Sequence, residues 1–343
     1  MKTQMSRRGL LVGAAAMACA GRVALAAVEG VASGGSAAPP GKGQAAAGGR
    51  LAPSTGSRAA GVGPHAQAPR GGAAGDDRNR ANGDAAKQLA ALEKREGGRL
   101  GVEAWDTATG KRIQHRSDER FAMCSVFKFL AAGAILKRVD QGTEHLDRRI
   151  EFGESDLLEY APVAREHVKE GGLTLGELCA AAVEWSDNTA ANLMLKVLGG
   201  PEVVTSFIRS TGDQITRLDN IETALNVVRP GEVHDTTTPS SMVGLLNSVV
   251  LGKVLSAESR SRLEGWMLDA KVGELRLQAG LPTGWRIAHK TGTYDDQTND
   301  AGIIWPPNRA PIILAALYSR GGTPKKQREG VLREVGRIVA ASL

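Results

Sequence analysis

Every aromatic residue of the 343-residue chain lies beyond residue 100, and so do nearly all of its large apolar side chains. That asymmetry confines any hydrophobic core to the second part of the molecule. Residues 27–84 make the point from the other side: 34 of those 58 residues are Gly, Ala or Pro, and only Val28, Val31, Leu51 and Val62 are large and apolar. Such a stretch cannot bury enough surface to offset its chain entropy, and it reads as a flexible tether. Charge follows the same division. The formal net charge of +6 looks at first like an affinity for polyanions. Residues 85–343, however, carry 33 basic and 33 acidic side chains, so the excess belongs to the N-terminal part. A nucleic-acid-binding surface is not expected of the folded part.

Residues 1–26 have the layout of a secretory signal. Lys2, Arg7 and Arg8 precede the apolar run Leu10–Ala20, and Ala24-Leu25-Ala26 offers a cleavage site. The run is too short to span a bilayer. Ser6-Arg7-Arg8-Gly9-Leu10-Leu11 resembles the twin-arginine export consensus, with an ordinary export signal as the alternative. Lipid attachment at Cys19 is a third reading, weakened by the poor lipobox Ala16-Met17-Ala18. The expected organisation is therefore an export signal over 1–26, a tether over 27–84 and one domain over 85–343, destined for the periplasm or the exterior. Cleavage after Ala26 leaves Cys124 and Cys179, which fall on separate predicted helices and are expected as free thiols. The six histidines form no i, i+4 pair, so neither a metal nor another cofactor is expected.

Within 85–343 the periodicities predict a helix over Ala85–Glu96 capped by Asp84, then strands near Leu100–Asp106 and Lys111–Arg116. A block of helices follows: Ser125–Asp140, Thr174–Ser186, Thr189–Leu198, Pro201–Thr211, Pro239–Leu251 and Ala257–Leu268. Strand-like runs return at Trp285–Thr293, Ala301–Trp305 and Pro311–Ser319, before a last helix over Pro324–Ala341. Hairpin-length links favour antiparallel pairing. The expected fold is α+β, a five-stranded antiparallel sheet with helices on both faces plus an all-helical lobe, and a cleft between sheet and lobe.

Four motifs carry chemistry. Ser125-Val126-Phe127-Lys128 places a hydroxyl and an ammonium three residues apart on a helix start, where they share a face. A nucleophilic serine needs such a neighbouring base or charge. Ser186-Asp187-Asn188 lies between two helical patterns and offers a hydroxyl for proton relay and a carboxamide for docking an amide. Lys290-Thr291-Gly292 ends a predicted strand, with Gly292 permitting close approach of another backbone. Each alone is commonplace: a surface Ser/Lys pair, a helix cap, a strand end. Together, in this order and context, they resemble the S-x-x-K, S-D-N and K-T-G set of the penicillin-recognising serine enzymes. The fourth motif, Glu222-Thr-Ala-Leu-Asn226 within Arg217–Asn226, resembles the E-x-x-x-N omega loop of class A β-lactamases. Asp235–Pro239 is similar to that loop's exit, Tyr160-Ala-Pro162 to the family's cleft wall, and Asn188–Asn192 to its helix start. On these residues the domain is identified as a member of the class A serine β-lactamases.

The resemblance implies roles. Ser125 would attack the lactam carbonyl, with the oxyanion between the backbone N–H groups of Ser125 and Thr293. Lys128 or Glu222 would activate Ser125, a choice left open. Ser186 with Lys290 would protonate the departing nitrogen, and Glu222, with a water held by Asn226, would drive deacylation. Asn188 and the backbone of Thr293 would bind the substrate's side-chain amide, with Tyr160 contacting substrate as a cleft wall. Lys290, Thr291 and Thr293 would hold its carboxylate, helped by Arg276, because Thr298-Asn299-Asp300 occupies the stretch where some members place that arginine. The implied partner is a small β-lactam and the implied state a monomer.

The sequence also departs from the family. Asn220 stands where an arginine commonly pairs with the residue matching Asp235, and Thr223 stands where proline follows the general base. One loop anchor is therefore expected to be missing, with Arg217 as a substitute, and a looser loop that admits bulky cephalosporin side chains. Cys124 resembles the cysteine that carbapenem-hydrolysing members pair with one after K-T-G-T, but Tyr294 occupies that place and no disulfide is expected. His289 replaces a usual aspartate beside Lys290. A cell-wall DD-peptidase shares the first three motifs but not the Glu222/Asn226 pair. A β-lactam sensor would lack Glu222 and carry a membrane anchor.

Overall fold

Apolar residues along two strands show how the described residues are layered. On the last strand Ile313 and Ala315 face one hydrophobic cluster, while Ile312, Leu314, Ala316 and Tyr318 face another. Leu100, Val102 and Ala104 on the first strand repeat the pattern. A sheet apolar on both faces must be covered on both.

The computed structural model describes residues 73–343, with side chains from Gly83 onward; the expected signal over 1–26, and the tether as far as residue 72, lie outside the described residues. In chain order the elements are α1 (Ala73–Glu96), β1 (Arg99–Asp106), β2 (Arg112–His115), β3 (Phe121–Ala122), a 3-10 turn Cys124–Phe127, and α2 (Lys128–Asp140). Next come β4 (Arg149–Glu151), α3 (Ala164–His167), β5 (Gly172–Thr174), α4 (Leu175–Glu184), α5 (Asn188–Leu198), α6 (Pro201–Ser210) and β6 (Thr236–Thr237). The rest are α7 (Pro239–Leu246), α8 (Ala257–Leu268), α9 (Leu277–Gly280), β7 (Arg286–Tyr294), β8 (Gln297–Trp305), β9 (Ile312–Ser319) and α10 (Lys325–Ser342).

The main sheet is antiparallel throughout, in the order β2-β1-β9-β8-β7. Helices α1 and α10 pack against each other on one face; α7 covers β1 and β9 on the other. The helical lobe surrounds α2, whose residues Lys128–Leu136 are all buried. A helix apolar on every side belongs at the centre of a bundle, and α4, α5, α6 and α8 all contact α2. Helix starts are capped as their sequences dictate. Thr174 and Glu177 form a reciprocal capping box on α4, and the Thr238 side chain caps α7 ahead of Pro239.

Three expectations are corrected. Helix α1 begins at Ala73 rather than Ala85, so Asp84 is interior to it and the helix extends into the stretch read as tether. Gly and Ala content limits how much surface a segment can bury, not whether it forms local hydrogen bonds. The helix predicted over Pro239–Leu251 is α-helical only to Leu246 and then widens to a π-turn over Asn247–Leu251. The paired strands β3/β6 and β4/β5 were not expected, since two- and three-residue strands leave no periodicity to read.

Candidate active site

A cleft of about 280 Å³ lies between sheet and lobe, lined by Ser125, Tyr160, Ser186, Asn188, Glu222, Asn226, Thr291 and Thr293 among others. Three elements converge to make it. Cys124, at φ 47°, turns the chain into the 3-10 turn carrying Ser125. Strand β7 lies directly against that turn. A Cβ on Gly292 would come within 2.7 Å of the Met123 carbonyl oxygen and 3.1 Å of Cys124 Cβ, so only glycine allows Thr293 to sit beside Ser125. Asp187, fully buried, caps α5 by accepting from Ala190 N and holds the Tyr160–Ala164 segment by accepting from Val163 N and Ala164 N, each of these at 2.8–2.9 Å. The same residue is thus a helix cap and the tie that sets Ser186 and Asn188 opposite β7.

At the centre, Ser125 Oγ donates to Glu222 Oε1 at 3.2 Å. Lys128 Nζ lies 3.0 Å from the same oxygen and donates to Ser186 O at 2.8 Å and Asn188 Oδ1 at 2.5 Å. Lys290 Nζ, approaching from β7, donates to Ser186 Oγ and to Thr291 O, both at 3.0 Å. Both lysines are fully enclosed, and burial pulls each below the usual lysine range, Lys290 well below it because the charges of Lys128 and Arg276 add to the effect. Asn226 Nδ2 donates to Glu222 Oε2 at 2.7 Å, while Asn226 Oδ1 is buried without a protein partner. The Glu222–Thr223 peptide is cis. Tyr160, half-exposed, donates its hydroxyl to Trp185 O and takes a bond from Asn188 N on its own carbonyl.

Arg276 sits at the sheet side of the cleft, but it does not present a free guanidinium. Its donors are taken by Gly292 O, Asn299 O, Thr293 Oγ1 and Glu329 Oε1. Because Thr293 Oγ1 accepts from Arg276, its own hydroxyl proton is left to point elsewhere. Asn192, not singled out in the sequence as a site residue, brackets Glu222: its Oδ1 accepts Glu222 N and its Nδ2 donates to Glu222 O, both at 2.8 Å. Its place one turn after Asn188 on α5 was the available signal.

The expectation of a missing loop anchor is overturned. Asn220 Nδ2 donates to Asp235 Oδ2 at 2.7 Å, and Asp235 Oδ1 accepts the backbone N–H of Asp219 and of Asn220. A carboxamide thus reaches the partner commonly met by arginine, and Arg217 pairs with Asp219 instead of replacing it. His289 turns from Lys290 to Asp300, Nδ1 to Oδ1 at 2.8 Å. Cys124 and Cys179 are both buried and unpaired, and burial pushes both thiols up.

Comparison with known proteins decides the family. Residues 84–343 match the model of the β-lactamase enzyme family. The chain is a member of the class A β-lactamases. It is 44% identical over 254 residues to β-lactamase Toho-1 of Escherichia coli, covering 74% of this chain and 87% of that protein. It is 45% identical over 256 residues to β-lactamase L2 of Stenotrophomonas maltophilia, covering 74% and 84%. Among solved structures, an ancestral class A β-lactamase superposes with a TM-score of 0.74 at 52% identity, covering 76% of this chain and all of the other. The expected α+β fold of this β-lactamase is borne out by its own sheet order and by those neighbours.

Proposed function

We propose that the protein hydrolyses the β-lactam amide of penicillins and cephalosporins through an acyl-enzyme on Ser125, and so confers resistance to them. The observation that carries this reading is Glu222, whose carboxylate meets Ser125 Oγ and Lys128 Nζ on one oxygen and Asn226 on the other. Ser125 Oγ bonds to the lactam carbonyl carbon while its proton passes to Glu222 or Lys128. The hydrogen bond that Ser125 Oγ donates to Glu222 Oε1 favours the carboxylate, with Lys128 supplying charge. The oxyanion is met by the backbone N–H groups of Ser125 and Thr293, worth about 3 kcal/mol per donor. The ring C–N bond then breaks, and the nitrogen takes a proton from Ser186, resupplied by Lys290. The proton taken from Ser125 replaces the one given up by Ser186 and Lys290, leaving Glu222 ionised. Water held by Glu222 and Asn226 then attacks the ester, giving its proton to Glu222, which passes one to Ser125 Oγ as the ester C–O bond breaks.

Substrate contacts follow the same geometry. Asn188 and Tyr160 meet the amide side chain, and Lys290, Thr291 and Thr293 meet the carboxylate. Arg276 acts through Thr293, whose hydroxyl it orients. No cofactor takes part, and the working form is a monomer. Residues 1–26 export the chain to the periplasm or exterior by the twin-arginine route, residues 27–72 act as a tether, and 85–343 form the catalytic domain. No helix among the described residues is long and apolar enough to cross a membrane.

Two measurements test this. Mixed with a chromogenic cephalosporin, the protein turns over many equivalents; a single stoichiometric burst would instead identify a peptidase or a sensor. An Arg7→Lys/Arg8→Lys variant remains in the cytoplasm, whereas unchanged export would point to the general secretory route.

A further inference from the structure

We infer that Lys325, on the first turn of α10, is a specificity-determining residue that favours lactams carrying a second acidic group beside the ring carboxylate. The inference rests on the hydrolytic reading above. Apart from the buried Lys128 and Lys290 at its centre, two cationic side chains line the described cleft, Arg276 and Lys325. Arg276 is unavailable for direct contact. Its side chain is 3% exposed, each of its nitrogens donates to a protein oxygen, and Glu329 lies 3.3 Å away as its counter-charge. Lys325 is the opposite case. Its side chain is 61% exposed, and its sole ion pair is a loose one, 3.7 Å to the Glu329 oxygen that Arg276 already holds. With its ammonium end exposed and the contact long, such a pair contributes little and leaves the lysine free to meet a ligand.

Position then sets what Lys325 can recognise. It lines the cleft with Thr293 and Arg276 and is tied to them through Glu329, which pairs with both Lys325 and Arg276 while Arg276 donates to Thr293, at the end assigned to the ring carboxylate. A substituent on the ring carbon next to the carboxylate-bearing one is only a bond removed from it, so binding the carboxylate at Thr291 and Thr293 brings that substituent to the same end of the cleft. Acidic substituents there meet the mobile ammonium, and cationic ones are repelled by it. Because the contact lies at the rim in high dielectric, it alters binding without touching the reacting atoms.

The test uses the full chain and two cephalosporins with the same acyl side chain, one with an acidic and one with a neutral substituent on that carbon. Lys325→Gln is expected to raise KM for the acidic substrate about fivefold, and Lys325→Glu about twentyfold, with kcat unchanged and the neutral substrate altered less than about twofold. Salt at about 0.5 M, where the Debye length is about 4 Å, is expected to remove the wild-type preference. Equal effects of both variants on both substrates, in protein with an unshifted Tm, would overturn the inference. Absence of turnover of either substrate by the wild type would instead overturn the hydrolytic reading.

Discussion

Glu222 is the residue on which the chemistry turns, since three separate side chains converge on its carboxylate. Glu222→Ala is expected to slow deacylation by about 10²–10⁴-fold, leaving an acyl adduct on Ser125 visible as added mass after mixing with substrate. An unmodified Ser125 under those conditions would refute the deacylation role. Lys290 makes a second prediction, on pH. Burial first, then the charges of Lys128 and Arg276, hold it well below its ordinary value of 10.5. In the proposed mechanism its protonated form holds the carboxylate and resupplies Ser186, so activity is expected below its folded pKa and lost as pH rises through it. The alkaline limb of kcat/KM should therefore fall below pH 10.5. Lys290→Arg, which does not deprotonate, should move that limb upward while lowering the rate at neutral pH. A limb that stays in place would assign it to another group.

At the scale of elements, the loop Arg217–Asp235 is held by a carboxamide where the family commonly uses an arginine. The donor is neutral and the acceptor a carboxylate, but Asp235 keeps two backbone donors to fall back on, so losing this bond is expected to cost about 1 kcal/mol net. Asn220→Ala should thus lower stability by about 1 kcal/mol, read from denaturant midpoints, and speed proteolysis of this loop. Restoring Asn220→Arg tests whether the loop governs access: if its anchoring admits bulky side chains, turnover of bulky relative to small cephalosporins should drop. Asp187 is a stronger joint, because Ala190, Val163 and Ala164 all donate to one buried carboxylate. Asp187→Ala is expected to cost about 3 kcal/mol and to disturb Ser186 and Asn188 together.

The described residues hold together by packing on both faces of one sheet and around α2, without covalent staples among them. A domain of this size buries a large enough fraction of its surface to need none. Reducing agent should leave Tm unchanged. A thiol reagent should label Cys124 and Cys179 only after unfolding, since both are buried with their thiols pushed up. A Tm that falls on reduction would show a disulfide after all. The tail-borne positive charge leaves the catalytic domain neutral overall, so the cations that matter are local ones at Lys128, Lys290, Arg276 and Lys325.

By itself the sequence determined the types of the long elements, the two-faced sheet and the four motifs, because periodicity and short-range spacing report which side chains share a face. Ser125 with Lys128, and Glu222 with Asn226, were legible for that reason: each pair lies within about one helical turn. Tertiary structure alone decided what reached across the chain. It brought Lys290 to Ser186 over 104 positions and Asn192 around Glu222 over 30. It also gave Asp235 to Asn220 rather than Arg217, turned His289 to Asp300, and spent every donor of Arg276 inside the protein. Those outcomes depend on distance in space and on which buried donor finds which acceptor. Local pattern carries no record of either.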